Sequence, residues 1–174
     1  MTENHDNGHA DELLIALAPG AENNAFATML ADLVRQNLAS KPHKRKDFDA
    51  LDGTVALVAD DADIALTLEF LSSQRRSGWR WRQRDSSGRG RLTLHDGIRG
   101  IPDVTVRGSA DAIMALSNVP LTRPLALPFP TDREAFEVIR GMVRMTRTGE
   151  LRVFGMLGNL GLLSRLTRVM SVNG

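Results

Sequence analysis

The chain has 174 residues, 42% of them hydrophobic and 25% charged, which fits one folded domain with a real apolar core rather than a disordered tail. Twenty-two basic residues stand against 21 acidic ones, and a net charge of +1 selects neither nucleic acid nor membrane. Cysteine is absent, which excludes disulfides, thiol catalysis, iron–sulfur clusters and cysteine zinc sites.

Residues 1–20 read as a flexible acidic tail, with Glu3, Asp6, Asp11 and Glu12 among Asn, Gly and His. The apolar run 13–18 inside it is too short and wrongly flanked for a signal peptide, and no run approaches a membrane span. A cytoplasmic location is expected. The folded domain then occupies 21–174. Over 24–38 the apolar residues Phe26, Met29, Leu30, Leu33, Val34 and Leu38 follow the stripe of an amphipathic helix, with Asn23 or Asn24 as cap. The basic run 41–46, broken by Pro42, reads as a linker.

After Asp52-Gly53 the period changes to two. A strand is expected at 54–58, then a polar turn with Asp60, Asp61 and Asp63. A half-buried strand follows, with Ile64, Leu66, Leu68 and Phe70 on one face. The alternation returns at Leu92/Leu94 and at Val104/Val106, after which Ser109 is placed to cap a short helix through Ala112, Ile113 and Leu116. Four prolines over 119–130 exclude a central strand or helix interior, so an apolar extended loop is expected there. Thr131 and Glu134 have capping-box spacing ahead of a helix burying Phe136, Ile139, Met142 and Val143. A last strand carries Leu151 and Val153. A final helix places Leu160, Leu163, Leu166 and Met170 along one side. Strands clustered mid-chain between helices give an α+β class.

Catalysis finds little support. His95 and Asp96 are neighbours on a strand and point to opposite faces, so they form no acid–base pair. The three aspartates at 60–63 lack the glycine and glutamate of a calcium loop, and Gly88-Arg89-Gly90 is too short to cradle phosphate. His5, His9, His43 and His95 are too scattered for a metal cluster. The expectation is a protein that is not an enzyme and uses no cofactor or metal. The strongest anomaly lies at 75–91, where seven arginines against one acid leave a local charge of +6. If 79–82 is extended, Trp79 and Trp81 share one face and Arg80 and Arg82 the other, with Arg84 two residues on. Such a strand fits inward tryptophans with solvated arginines, docking on an anionic membrane surface, or a platform for single-stranded nucleic acid. Nucleic acid is the least favoured of the three, because the rest of the chain adds few exposed aromatic groups.

Two segments resemble a known family. Asp103-Val104-Thr105-Val106-Arg107-Gly108-Ser109-Ala110-Asp111-Ala112-Ile113 looks like the strand-to-helix segment of the sterol carrier protein type 2 domain. Gly149-Glu150-Leu151-Arg152-Val153-Phe154-Gly155 resembles that family's closing strand, Gly-x-Leu-x-Val-x-Gly, and is followed by a leucine-rich helix. With the earlier hairpin the resemblance covers about 48–174. Met156 departs from the small polar residue common at that place. The resemblance implies a single domain with a mixed, mostly antiparallel five-stranded sheet, covered by helices that enclose an apolar tunnel. It implies a non-enzymatic carrier holding a sterol, fatty acyl chain or isoprenoid lipid. The lipid site would then be built from Phe136, Ile139, Met142, Val143, Leu151, Val153, Met156, Leu160, Leu163 and Leu166, and Trp79, Arg80, Trp81, Arg82 and Arg84 would dock on membrane. Burying roughly 15 methylenes at about 0.8 kcal/mol each yields about 12 kcal/mol gross, enough to bind without a polar constellation. Periodicity alone does not separate a ligand-filled interior from a dry core. Two other readings stand beside the carrier: an accessory factor presenting quinone precursors in ubiquinone biosynthesis, and a basic Trp/Arg module binding RNA or an acidic partner.

Overall fold

The computed structural model describes residues 14–73, 89–115, 149, 151–156 and 158–171. In chain order these form β1 (Ile15–Leu17), a 3-10 turn (Ala21–Asn23), α1 (Ala25–Ser40), α2 (Lys44–Asp49), β2 (Gly53–Ala59), β3 (Ile64–Leu71), β4 (Arg91–Asp96), β5 (Val104–Gly108), α3 (Ala110–Ala115), β6 (Leu151–Phe154) and α4 (Leu160–Met170). The expected Trp79–Arg84 surface and the helix carrying Phe136, Ile139, Met142 and Val143 lie outside the described residues.

The strands make one sheet in the order β1-β4-β3-β2-β5-β6. Among the described residues it has six strands, where the family resemblance implied five. The additional strand comes from inside the expected tail: Ile15–Leu17 pairs parallel with β4, Ile15 beside Leu92. Three residues are too few to show a period, so only the fold reveals this strand. Its anchoring is tertiary, because Arg35 on α1 donates from Nη2 to the Ile15 carbonyl at 3.0 Å and from Nη1 to Asp32 at 2.8 Å. The sheet is mixed: β2-β3, β3-β4 and β5-β6 run antiparallel, whereas β1-β4 and β2-β5 run parallel.

Register puts the apolar residues on one face. Val55 lies between Leu68 and Val104, Leu57 between Leu66 and Val106, and Leu94 opposite Leu68. All of these are buried and form one continuous core with the helices. Against that face α1 buries Ala27, Leu30, Ala31, Val34 and Leu38. The helix starts where expected, since the Asn24 side chain accepts from the amides of Phe26 at 3.0 Å and Ala27 at 3.3 Å. Ser109 likewise accepts from the Ala112 amide at 3.1 Å at the start of α3.

The basic linker expected at 41–46 is partly helical. Lys44–Asp49 winds because Phe48 enters the core and Lys44 turns inward with it. There Lys44 Nζ donates to the Ser171 carbonyl, just past α4, while Asn37 Nδ2 donates to the carbonyls of Val169 at 3.0 Å and Met170 at 3.1 Å. These donors satisfy carbonyls that the end of a helix leaves without partners. Arg168 grips Asp47 through Nε at 3.0 Å and Nη2 at 2.8 Å, and Arg165 Nη1 reaches the Ala50 carbonyl at 3.2 Å. Four side chains thus fasten α4 to α1, α2 and the chain that follows α2.

Burial, and secondarily the charge of Lys41, lowers the Lys44 pKa to about 8 from 10.5. Its folded value lies below its unfolded one. Between these two values the unfolded chain keeps a proton that the folded chain has shed, so stability from this group rises with pH. Relative to Lys44→Met, the wild type should gain on the order of 1–3 kcal/mol across that window, read by urea unfolding. A flat difference would show that the α4 carbonyls hold the ammonium charged.

Candidate functional site

The expected lipid-site residues that the structure describes sit on β6 and α4, on either side of one turn. Leu151 is buried in the core and Val153 packs against it. Their side chains share the apolar face of the sheet, because Leu151 stands opposite Gly108 and Val153 opposite Val106. On α4, Leu163 and Leu166 pack against the same core. Met156 and Leu160 do not join them, being 44% and 58% exposed.

Of the stripe expected on α4, Leu163, Leu166 and Met170 pack on the core and Leu160 does not. The deepest residues of α4 are Leu162 and Val169, while Leu160 faces outward. The polar contacts set which side turns in. Arg165 and Arg168 must face α2, and the last carbonyls must meet Asn37 and Lys44. With those fixed, Leu162 turns toward the start of β2, where a Cβ built on Gly53 would stand 3.1 Å from Leu162 Cδ2.

A tight junction aims β6 and α4. Gly155 has φ of 77°, and a Cβ there would lie 2.1 Å from the carbonyl oxygen of Asp103. Only glycine permits that approach. Asn159, directly before α4, donates from Nδ2 to that same carbonyl at 2.8 Å and to the Gly155 carbonyl at 3.1 Å. Asp103 itself is pinned: its amide donates to the Thr54 carbonyl at 3.0 Å, and its Oδ2 accepts from the Thr54 amide at 2.8 Å.

Residues 97–103 reach Asp103 by crossing the sheet on the side away from the helices. They leave the Asp96 end of β4, pass β3 and β2, and enter β5 beside the start of β2. The Gly97 amide donates to the Ala65 carbonyl at 2.8 Å. At mid-sheet the buried Thr67 donates from Oγ1 to the Gly97 carbonyl at 2.9 Å and accepts from the Arg99 amide at 2.9 Å. Three exposed apolar residues in this region had no sequence signal beyond their identity: Ile98, Ile101 and Phe154.

Polar groups weighed for chemistry have structural partners. His95 Nε2 lies 3.3 Å from Glu69 Oε2, whereas Asp96 Oδ1 accepts from Asn24 Nδ2 at 2.8 Å, so the two neighbours do face opposite ways. Asp60 pairs with Arg107 at 2.8 Å and Asp61 accepts from the Ala110 amide at 2.8 Å. Among the described residues no group of three His, Asp or Glu side chains is placed to hold a metal ion. Two hollows on the described surface are open rather than enclosed. One of about 580 Å³ lies along the outer side of α1 at Met29 and Leu33, and one of about 330 Å³ lies by Asn24 and Ile64. Among the described residues no helix is long and apolar enough to cross a membrane.

No protein-family model matches the sequence, and no curated protein matches it by sequence. The fold, however, has a solved counterpart. The structure of a UbiJ-SCP2 ubiquinone synthesis protein superposes with a TM-score of 0.51 at 14% identity, over 88% of this chain and 98% of that one. A conserved hypothetical protein from Thermus thermophilus, possibly a sterol carrier protein, aligns at 13% identity with a TM-score of 0.35, over 77% of this chain and 78% of that one. The chain thus has a sterol carrier protein type 2-like fold, and at this identity the likeness to the first structure is one of fold.

Gly155→Ala tests the junction. The added methyl group meets backbone, so something must move, and stability should fall by about 2–4 kcal/mol, measured by thermal or urea unfolding. Alanine at exposed Gly158, where a Cβ meets nothing within 4 Å, should change it far less.

Proposed function

We propose that this protein binds a lipid without transforming it, holding a fatty acyl, sterol or isoprenoid chain in an apolar tunnel between the helices and the sheet. The observation that carries the reading is the sterol carrier protein type 2-like fold over almost the whole chain. The one-sided sheet supports it: its apolar face is covered by helices, and the buried polar side chains Asn37 and Lys44 hold the end of α4. Leu151, Val153, Leu163 and Leu166 contribute to this interior from β6 and α4. Phe136, Ile139, Met142 and Val143 complete the proposed wall, with Met156 and Leu160 at its mouth. The protein works in the cytoplasm and needs no cofactor.

A second reading has an observation of its own. The structural counterpart is described as a ubiquinone synthesis protein, which favours an isoprenoid quinone precursor as cargo and presentation to modifying enzymes as the role. Trp79, Arg80, Trp81, Arg82 and Arg84 are proposed to meet an anionic membrane surface. The described ends of that segment are stapled to one residue: Ser72 Oγ and the Ser73 amide both donate to the Asp49 carbonyl at 2.9 Å, and the Gly90 amide donates to Asp49 Oδ1 at 2.8 Å.

Titration with fluorescent fatty acid, sterol and quinone probes should give saturable binding to at least one of them, with Kd of about 1 μM or tighter. A flat response to all three contradicts the reading. Leu163→Asp places an unpaired carboxylate in the apolar interior, costs several kcal/mol and should abolish binding. A folded Leu163→Asp protein that binds normally would put that face of α4 outside the site.

A further inference from the structure

Buried polar side chains are few: among the described residues they are Asn37, Lys44, Thr67 and Ser171. Thr67 serves the crossing on the side of the sheet away from the helices. The other three meet at one place, reached from α1 by Asn37, from α2 by Lys44 and from the end of α4 by Ser171. Lys44 Nζ donates to the Ser171 carbonyl, and Asn37 Nδ2 holds the two carbonyls before it. This polar place adjoins the apolar interior. Lys44 stands one turn ahead of Phe48 on the buried side of α2, and Phe48 belongs to the core. On α4, Leu163, Leu166 and Met170 pack on the core at helical spacing, so the proposed lipid wall leads along that helix to Ser171.

These groups leave donors over. An ammonium has three N–H groups, and Lys44 directs one of them to the Ser171 carbonyl. The Ser171 hydroxyl is buried with no hydrogen-bond partner. The charge is unmet as well, since Lys44 makes no ion pair among the described residues. Asp47, the acid nearest to it along α2, is closed on by Arg168 from α4, and that pair cancels. Asp49 accepts from the Gly90 amide, and Arg165 donates to the Ala50 carbonyl. Burial, then the like charge of Lys41, lowers the Lys44 pKa to about 8, and no carboxylate raises it again. The group therefore stays mainly charged at neutral pH. A buried charge with no counter-ion costs free energy, and so does a buried hydroxyl with no partner. One chemistry answers both: a carboxylate brings a single negative charge and two oxygens that only accept. A sterol hydroxyl would satisfy one N–H and leave the charge, and a phosphate monoester brings more charge than one lysine balances.

We propose that Lys44 and Ser171 form the headgroup subsite of the lipid site and take the carboxylate of a long-chain acid. The ammonium and the hydroxyl donate to its oxygens, and Asn37 keeps the end of α4 in place beside them. The inference rests on the lipid-binding reading and narrows its cargo. The apolar interior selects the tail by length and shape, and this end selects the head by charge. A fatty acid is then preferred over a sterol or any lipid whose head is neutral.

Titration with a fluorescent fatty acid and with its methyl ester tests it, because the two probes share a tail and differ in charge. Wild-type protein should bind the acid about tenfold or more tighter than the ester. The carboxylate raises the Lys44 pKa in the complex, so that advantage is complete below pH about 8 and is lost as pH rises above it. The loss should approach about tenfold per pH unit for the acid, while the ester stays level. In Lys44→Met the ratio of the two affinities should fall toward one, and Ser171→Ala should lower it in the same direction. Lys46→Met, exposed on the same helix, should keep it. Tm checks that each variant is folded, and the wild-type ratio with its pH profile needs no variant. The proposal is overturned if wild type binds acid and ester alike, or if folded Lys44→Met keeps the preference. It is overturned too if Lys46→Met loses the preference equally, which would trace it to surface charge. Each of these outcomes leaves the lipid-binding reading in place. Failure to bind the acid beside saturable sterol or quinone binding also removes the headgroup subsite alone, whereas a flat response to every probe removes the lipid reading with it.

Discussion

A sheet with an apolar face must be covered, and here the cover is fastened at its ends rather than along its length. Asn37 and Lys44 reach from α1 and α2 to the last carbonyls of α4, and Arg168 closes on Asp47. A helix end in the interior leaves carbonyls that cost free energy unless donors meet them. Supplying those donors from α1 and α2 makes the position of α4 a consequence of hydrogen bonding. Its leucines then contribute apolar surface, at about 25 cal/mol per Å², without having to specify the register themselves. An interior built this way can vary its filling while its frame stays fixed.

The other organising constraint is the backbone crossing from β4 to β5. It lets β5 run parallel to β2 and so brings β6 to the sheet. Thr67 is a buried hydroxyl in a strand of leucines because the crossing needs both a donor and an acceptor at mid-sheet. At its far end Asp103 joins β2, β5, the turn at Gly155 and the start of α4. The two faces of the molecule therefore divide their work. One encloses apolar surface, and the other displays a pinned segment with its isoleucines in water.

Much of this frame was legible in the sequence. Alternation gave β3 with Leu66, Leu68 and Phe70 inward, the helical stripe gave α1, and Asn24 and Ser109 sit where caps were expected. The misses share a cause. A three-residue strand at Ile15–Leu17 carries no period. The short helix at Lys44–Asp49 forms around a lysine whose carbonyl partner lies 127 residues away. On α4 the expected stripe packs on the core through Leu163, Leu166 and Met170, and contacts with Asn37, Asp47 and Ala50, all distant in sequence, add Leu162 and Val169 as its most buried residues. Of the candidate lipid residues, those obeying strand alternation, Leu151 and Val153, face the core. Met156 and Leu160 fall where the Gly155 turn and the α4 register carry side chains outward.

The proposed function rests on the covered face more than on any polar group, because the polar groups weighed for chemistry, His95, Asp96, Asp60 and Asp61, have structural partners. An apolar interior inside a sterol carrier protein type 2-like fold suits cargo recognised by length and shape. The central claim is that this interior is occupied by lipid when the protein is at work. Organic extraction of the protein purified without detergent, followed by mass spectrometry of the extract against a mock purification, tests it most directly. The account expects one lipid class, acyl, sterol or isoprenoid, enriched in near-stoichiometric amount with the folded protein and absent from Leu163→Asp. An extract indistinguishable from the mock, from protein that also takes up no lipid offered to it, would contradict the account and leave a dry core.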